Sequence, residues 1–263
     1  MNDEPSEWTP SQIRAACREG RWESPTAGLA YGFVQANLAV VPREAAFDFL
    51  LFCQRNPKPC PIIEVLEPGR VEPACARGAD LRTDLPRYRV FRDGRLAEET
   101  ADVSRHWRDD LVAFLIGCSF SFEHALLDAG VPLRHIEDGT NVPMYRTNVA
   151  CTPAGRFSGP LVVSMRPIPA GLVPLATTVT ARVPQVHGSP VHVGAPEDLG
   201  IDDLHAPDYG ETVEVKENEL PVFWACGVTP QAVALEAAPE VMITHSPGHM
   251  FVTRMTNEGL LNS

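Results

Sequence analysis

Cys118 stands between an apolar run, Leu111 to Gly117, and a second segment in which Phe122, Ala125, Leu126 and Ala129 recur at helical spacing. Ser119 or Ser121 can cap that second segment, so the pattern predicts helix on both sides of a break at Gly117, with Cys118 at a helix N-terminus. Unpaired backbone N–H groups and the positive end of a helix dipole lower a thiol pKa and attract anions. A cysteine so placed is a candidate catalytic group, and Glu123, one turn further on, is a candidate partner. The competing reading makes Cys118 one more small buried hydrophobe and Glu123 a solvated helix charge.

Histidines offer a second source of chemistry. Four of the eight fall in two loops broken by Pro and Gly: His187 and His192 in VHGSPVHVG, and His245 and His249 in THSPGHM. Neither loop is a helical i,i+4 metal pair of the HExxH kind. Imidazoles in such turns suit general acid–base work or a divalent metal, and they also serve simply to bond loop carbonyls. No carboxylate partners for a metal can be picked out by spacing, so a divalent metal is a possible cofactor and no cofactor is certain.

Arginine supplies the means to hold a substrate carboxylate, by two parallel hydrogen bonds. Arg146 lies in NVPMYRTN, a strand whose alternation sends Tyr145 and Thr147 to one face and Arg146 and Asn148 to the other. Arg166 closes the apolar strand LVVSM. Ser119, Tyr145, Arg146, Asn148 and Arg166 are therefore the candidate substrate-binding residues, against the usual fate of an arginine in a surface ion pair. The chain carries no P-loop, GxGxxG, GxSxG or kinase signature, which lowers the weight of nucleotide cofactors and serine hydrolysis.

The elements that must position these groups can be placed in outline. Thr9-Pro10-Ser11-Gln12 reads as a capping box opening a helix to about Glu19, and Pro42 opens another through EAAFDFLLFCQ. Strands are expected at Tyr31 to Val41 and Pro61 to Leu66, with a hairpin turning at Asp93-Gly94. Beyond Gly130 come short β-like runs, a helix near Leu172 to Arg182 and a strand around Gln185 to Val193. The last part reads strand (Leu220 to Cys226), helix from Thr229-Pro230, then strands at Val241 to His245 and His249 to Met255. A βαβ unit there implies a parallel pair. Strands interleaved with helices predict an α/β or α+β architecture.

The net charge of −12 argues against a nucleic-acid surface, and only Lys58 and Lys216 among the 22 basic residues are lysine. The seven scattered cysteines form no CxxC pair, the start MNDEPSEW has no apolar core of a signal peptide, and no run is long enough to span a bilayer. The expectation is a cytoplasmic protein with no membrane partner, a small carboxylate or amino-acid substrate, and a possible homo-oligomeric state.

Six phrases go further: GCSFSFE, GTNVPMYRTN, GPLVVSMRP, VHGSPVHVG, PVFWACGVTPQ and ITHSPGHMFVT, in that order between Gly117 and Thr253. With YGFVQANLAVVP, FCQRNPKPCPIIE and DLRTDLPRYRV they resemble the hydro-lyase family that holds the bacterial YcsI-like proteins and the D-glutamate cyclase domain. The resemblance spans roughly Tyr31 to Thr253. It implies a three-layer α/β domain, 1–135 plus 208–263, with a smaller two-layer α+β domain, 136–207, inserted. It implies a carbon–oxygen lyase that converts D-glutamate to 5-oxo-D-proline plus water. In that reaction Arg146 or Arg166 would hold the carboxylate, and His187, His192, His245 or His249 would move protons. The Cys118-Ser119 backbone would face the oxyanion, or the Cys118 thiolate would form an acyl intermediate. Dehydration of another small hydroxy or amino acid, and non-catalytic binding of a small carboxylate, are the alternatives.

Overall fold

The computed structural model describes residues 4–261, so Met1 to Asp3 of the polar N-terminal stretch lie outside the described residues. In chain order the elements are α1 (Pro10–Arg18), β1 (Phe33–Pro42), α2 (Arg43–Arg55), β2 (Ile62–Val65), β3 (Tyr88–Arg92), β4 (Arg95–Thr100), β5 (Leu111–Gly117), α3 (Phe120–Asp128) and α4 (Arg134–Glu137). They continue as β6 (Met144–Ala150), β7 (Pro160–Pro169), α5 (Val173–Ala181), β8 (His192–Val193), β9 (Glu219–Ala225), α6 (Thr229–Ala237), β10 (Met242–His245), β11 (Phe251–Thr256) and α7 (Asn257–Leu261). Helices packed with two sheets make this an α/β fold.

The larger sheet runs β2-β5-β1-β10-β3-β4, with β11 also pairing to β1. Its strands alternate faces as a pleat requires. Leu38 and Val40 of β1 point to one face, where they join Ala113, Leu115, Val90 and Ile243 beneath the irregular segment that carries Leu81, Leu85 and Val103. Ala39 and Val41 point the other way, onto Phe49 and Phe52 of α2 and Val233 and Ala234 of α6. The smaller sheet runs β6-β7-β9-β8. One of its faces meets α3 and α5 through Ile168, Val222 and Trp224, and the other is covered by Leu199, Ile201 and Val213.

Three expectations change. The run Leu111 to Gly117 is a strand, buried throughout and paired to both β1 and β2, rather than a helix. A seven-residue apolar run suits a buried strand as well as a helix, and pairing on both edges decides the matter. The C-terminal βαβ unit does not form, because β9 joins the smaller sheet while β10 joins the larger one, and both pair antiparallel. Helix α6 thus connects two sheets and leaves no parallel pair to make; β9 belongs to the smaller sheet although it lies beyond residue 207. Finally, the segment 185–193 is mostly turn, with only His192–Val193 adding a short edge to β9.

Candidate active site

Two strand-to-helix turns, one from each sheet, meet at a small cavity. β5 leaves the larger sheet at Gly117 and passes through Cys118-Ser119 into α3, while β9 leaves the smaller sheet at Ala225 and passes through Cys226-Gly227-Val228 into α6. The cavity holds only about 10 Å³ and is lined by Asn37, Cys118, Ser119, Cys226, Gly227 and Gly248, with Val142, Met144 and Met250 as apolar wall. The turns match in detail. The Phe120 N–H points at Cys118 Sγ, 3.5 Å away, and the Val228 N–H does the same for Cys226. Both helices direct their N-terminal ends, and so their positive dipole ends, at the shared space.

Close approach sets the residue types around it. A Cβ on Gly227 would lie 1.9 Å from Asn37 Nδ2, and one on Gly117 would lie 1.9 Å from the Gln185 carbonyl oxygen. Asn37 sits on β1 and donates to the Gly117 carbonyl at 2.5 Å, tying the central strand to the exit of β5.

Behind Ser119 lies a buried charge network. Arg166, fully buried on β7, donates Nε to Glu123 Oε1 at 3.0 Å and Nη2 to the same oxygen. It also reaches Ser164 Oγ and Ser119 Oγ, each at 3.0 Å, and its guanidinium stacks over Phe122 and Trp224. His135 Nε2 lies 3.0 Å from Glu123 Oε1. Burial alone would raise the Glu123 pKa, yet the neighbouring His135 and Arg166 outweigh it and hold the carboxyl down to about 2. Glu123 is thus a buried ion-pair partner instead of a solvated helix charge, and Arg166 clamps the protein's own carboxylate.

The thiols behave differently from the expectation for a helix N-terminus. Burial pushes the Cys118 thiol well above its ordinary range, against a smaller opposing pull from the Phe120 N–H. Cys226 rises to about 11 for the same reason, opposed by the Val228 N–H and by Arg166. Complete desolvation outweighs one backbone donor and a short dipole, so both groups rest as thiols.

The histidines are dispersed. His187 is buried beside the Gly117 turn with φ at 82°, and its Nδ1 lies 2.7 Å from the Lys58 carbonyl oxygen. Burial, with Arg166 nearby, lowers its pKa to about 4. His245 is buried against β1, its Nδ1 3.2 Å from the Leu38 carbonyl oxygen and its Nε2 without a partner among the described residues, and burial lowers its pKa to about 3. His249 bonds the Pro247 carbonyl, and His192 the Ala195 carbonyl out on the edge of the smaller sheet. Among the described residues no group of three or more His, Cys, Asp or Glu side chains is placed to hold a metal ion.

The remaining candidates lie apart from the cavity. The Tyr145 hydroxyl donates to the Leu204 carbonyl, Arg146 pairs with Glu236 at 3.2 Å on the surface, and Asn148 donates to the Asp198 carbonyl. Asn37, Gly227, His135 and Ser164 join the site with no sequence signal of their own. Cys226 has one: WACGVTPQ repeats the order of IGCSFSFE, an apolar strand, then Cys, then a helix start.

Comparison with known proteins places these features in a group. The profile of a family described as D-glutamate cyclase matches residues 112–254, which contain both turns. A protein of Stutzerimonas stutzeri named "Putative hydro-lyase" is 63% identical over 96% of this chain and 96% of its own. Another, from Geobacillus kaustophilus and also named as a putative hydro-lyase, is 58% identical over 95% of each chain. A solved structure of a nitrogen repressor-like protein from Methanococcus jannaschii covers 89% of this chain and 91% of its own at 9% identity, with a TM-score of 0.39, too low to bear on fold or function.

Proposed function

The chain belongs to the D-glutamate cyclase family of hydro-lyases, carbon–oxygen lyases, and from that premise we propose that it closes D-glutamate to 5-oxo-D-proline with loss of water. The observation that carries this reading is the pair of matched cysteine turns, which aim two helix N-termini at one cavity. Glutamate carries two carboxylates, and each helix end suits one of them. The N-terminal end of α6 holds the α-carboxylate. That of α3 receives the γ-carboxylate, whose carbon becomes tetrahedral when the amine attacks, with the Ser119 N–H facing the developing oxyanion. A space of about 10 Å³ has room for a water and none for glutamate, so the wall of Val142, Met144 and Met250 must give way as substrate enters.

The step balances within the substrate. A C–N bond forms and a C–O bond breaks; the ammonium gives up two protons and the departing oxygen takes up two. His187, neutral and beside the Gly117 turn, accepts one ammonium proton while the other passes from nitrogen to the departing oxygen directly; a Cys118 or Cys226 thiol gives that oxygen its second proton, and the histidinium proton returns to the thiolate. Glu123 and Arg166 act as positioning residues, fixing Ser119 at the head of α3. The raised thiol pKa keeps Cys118 protonated and so disfavours a covalent acyl intermediate through its thiolate.

A second reading has its own support. A thiol facing the cavity can protonate a departing hydroxyl while neutral His187 takes the α-proton, which suits α,β-elimination of water from another small hydroxy or amino acid. The seven free cysteines suit a reducing cytoplasm.

Incubation with D-glutamate and L-glutamate separately, followed by chiral chromatography of 5-oxoproline, tests the proposal. Product from the D isomer supports it; product from neither isomer, with and without divalent metal, sends the reading to a different hydro-lyase substrate.

A further inference from the structure

A second cavity, of about 400 Å³, lies against a different stripe of α3. Ser121, His124, Ala125 and Asp128, spaced i, i+3, i+4 and i+7, face it, whereas Ser119 lines the cysteine cavity and Glu123 is held by Arg166. Its walls are apolar: Phe33, Phe122, Val179, Val183, Val186 and Leu260. The size is that of an ordinary small-molecule pocket.

The polar groups around it select a ligand. His124 is buried, directs one ring nitrogen to the Leu29 carbonyl and leaves Nδ1 without a partner among the described residues. The buried Asn257 Oδ1 likewise has none among the described residues. Both are acceptors lacking a donor. Asp128 at the rim takes a hydrogen bond from Tyr31 and keeps acceptor capacity to spare. Arg182 supplies the opposite charge: it is exposed on the rim and forms no ion pair among the described residues. An apolar carboxylate alone would use Arg182 and leave the buried acceptors unpaired.

We propose that this cavity binds a small apolar amino acid, its ammonium toward His124, Asn257 and Asp128, its carboxylate toward Arg182, and its side chain among the valines and phenylalanines. The shared requirement is an ammonium head on an apolar body, and a simple alkylamine would satisfy all of it except Arg182. The site is independent of the reaction assigned to the cysteine cavity, and its occupancy is read without any turnover.

Calorimetric titration of the full chain with L-leucine, 3-methylbutylamine and 4-methylpentanoate tests it. Leucine and the amine should bind and the carboxylate should not. Arg182→Gln should weaken leucine about tenfold and leave the amine unchanged. Ala125→Phe, at an exposed helix position, or Val179→Phe on the facing helix should fill the space and weaken both ligands by about tenfold or more, with an unchanged circular dichroism spectrum. The proposal is overturned if the carboxylate binds as well as leucine, if leucine gives no binding, or if neither filling substitution alters its affinity.

Discussion

Glu123 and Arg166 form the interaction most sensitive to a single atom. Both are fully buried, so neither can turn to solvent when its partner is lost. Glu123→Gln leaves the Arg166 guanidinium buried beside a neutral amide, and removal of one member of a buried pair costs about 3–5 kcal/mol. Urea unfolding should show that loss as a lower midpoint at unchanged slope. The buried ionisable groups also set an acid limit. His187 and His245 have folded pKa values of about 4 and about 3 against 6.5 in an unfolded chain, so the unfolded state binds more protons in that window. Their contribution is full above pH 6.5 and is lost as pH falls through 4 and then 3. Glu123, at about 2 against 4.5, adds a loss between those values. The melting temperature should therefore decline from about pH 6.5 downward, at about 1.4 kcal/mol per unit of pKa difference. A flat profile from about pH 7 to 4 would contradict the burial of both histidines.

At the scale of elements, the turn between β9 and α6 depends on contact without a side chain. Gly227→Ala forces a methyl into the Asn37 carboxamide, which in turn holds the Gly117 carbonyl. Turnover should fall by about a hundredfold, with a stability loss of about 1–3 kcal/mol, the usual range for overpacking; unaltered turnover would remove Asn37 and Gly227 from the site. Such turns are only half legible in the sequence. Local signals suffice where the cause is local: Thr9 and Gln12 form the capping box of α1, Asp93-Gly94 turns the β3–β4 hairpin, and α5 lies within the helical stretch expected near Leu172 to Arg182. Nonlocal pairing leaves no such mark. The strand β5 reads as helix until β1 and β2 flank it, and Glu123 reads as a candidate catalytic partner or a solvated charge until Arg166, 43 residues away, reaches it. The helix start beside Cys118 and Ser119 is visible in the spacing, but the burial that reverses the thiol's acidity comes from elements contributed by the rest of the chain.

For the whole molecule, the order of the larger sheet has a consequence during synthesis. β10, made near the end of the chain, lies between β1 and β3, both made long before it. β11 likewise completes the pairing of β1. A nascent chain that has emerged only as far as α6 therefore holds β1 and β3 with a gap between them, each exposing an unpaired edge. Assembly cannot follow the direction of translation, and the newborn polypeptide must wait for its last strands. A chain ending at residue 240 should lack cooperative unfolding and collect in the insoluble fraction, and supplying residues 241–263 as a separate peptide should restore part of the soluble yield. Until β10 and β11 have emerged, the open seam beside β1 is exposed to pairing with any other unpaired strand edge it meets.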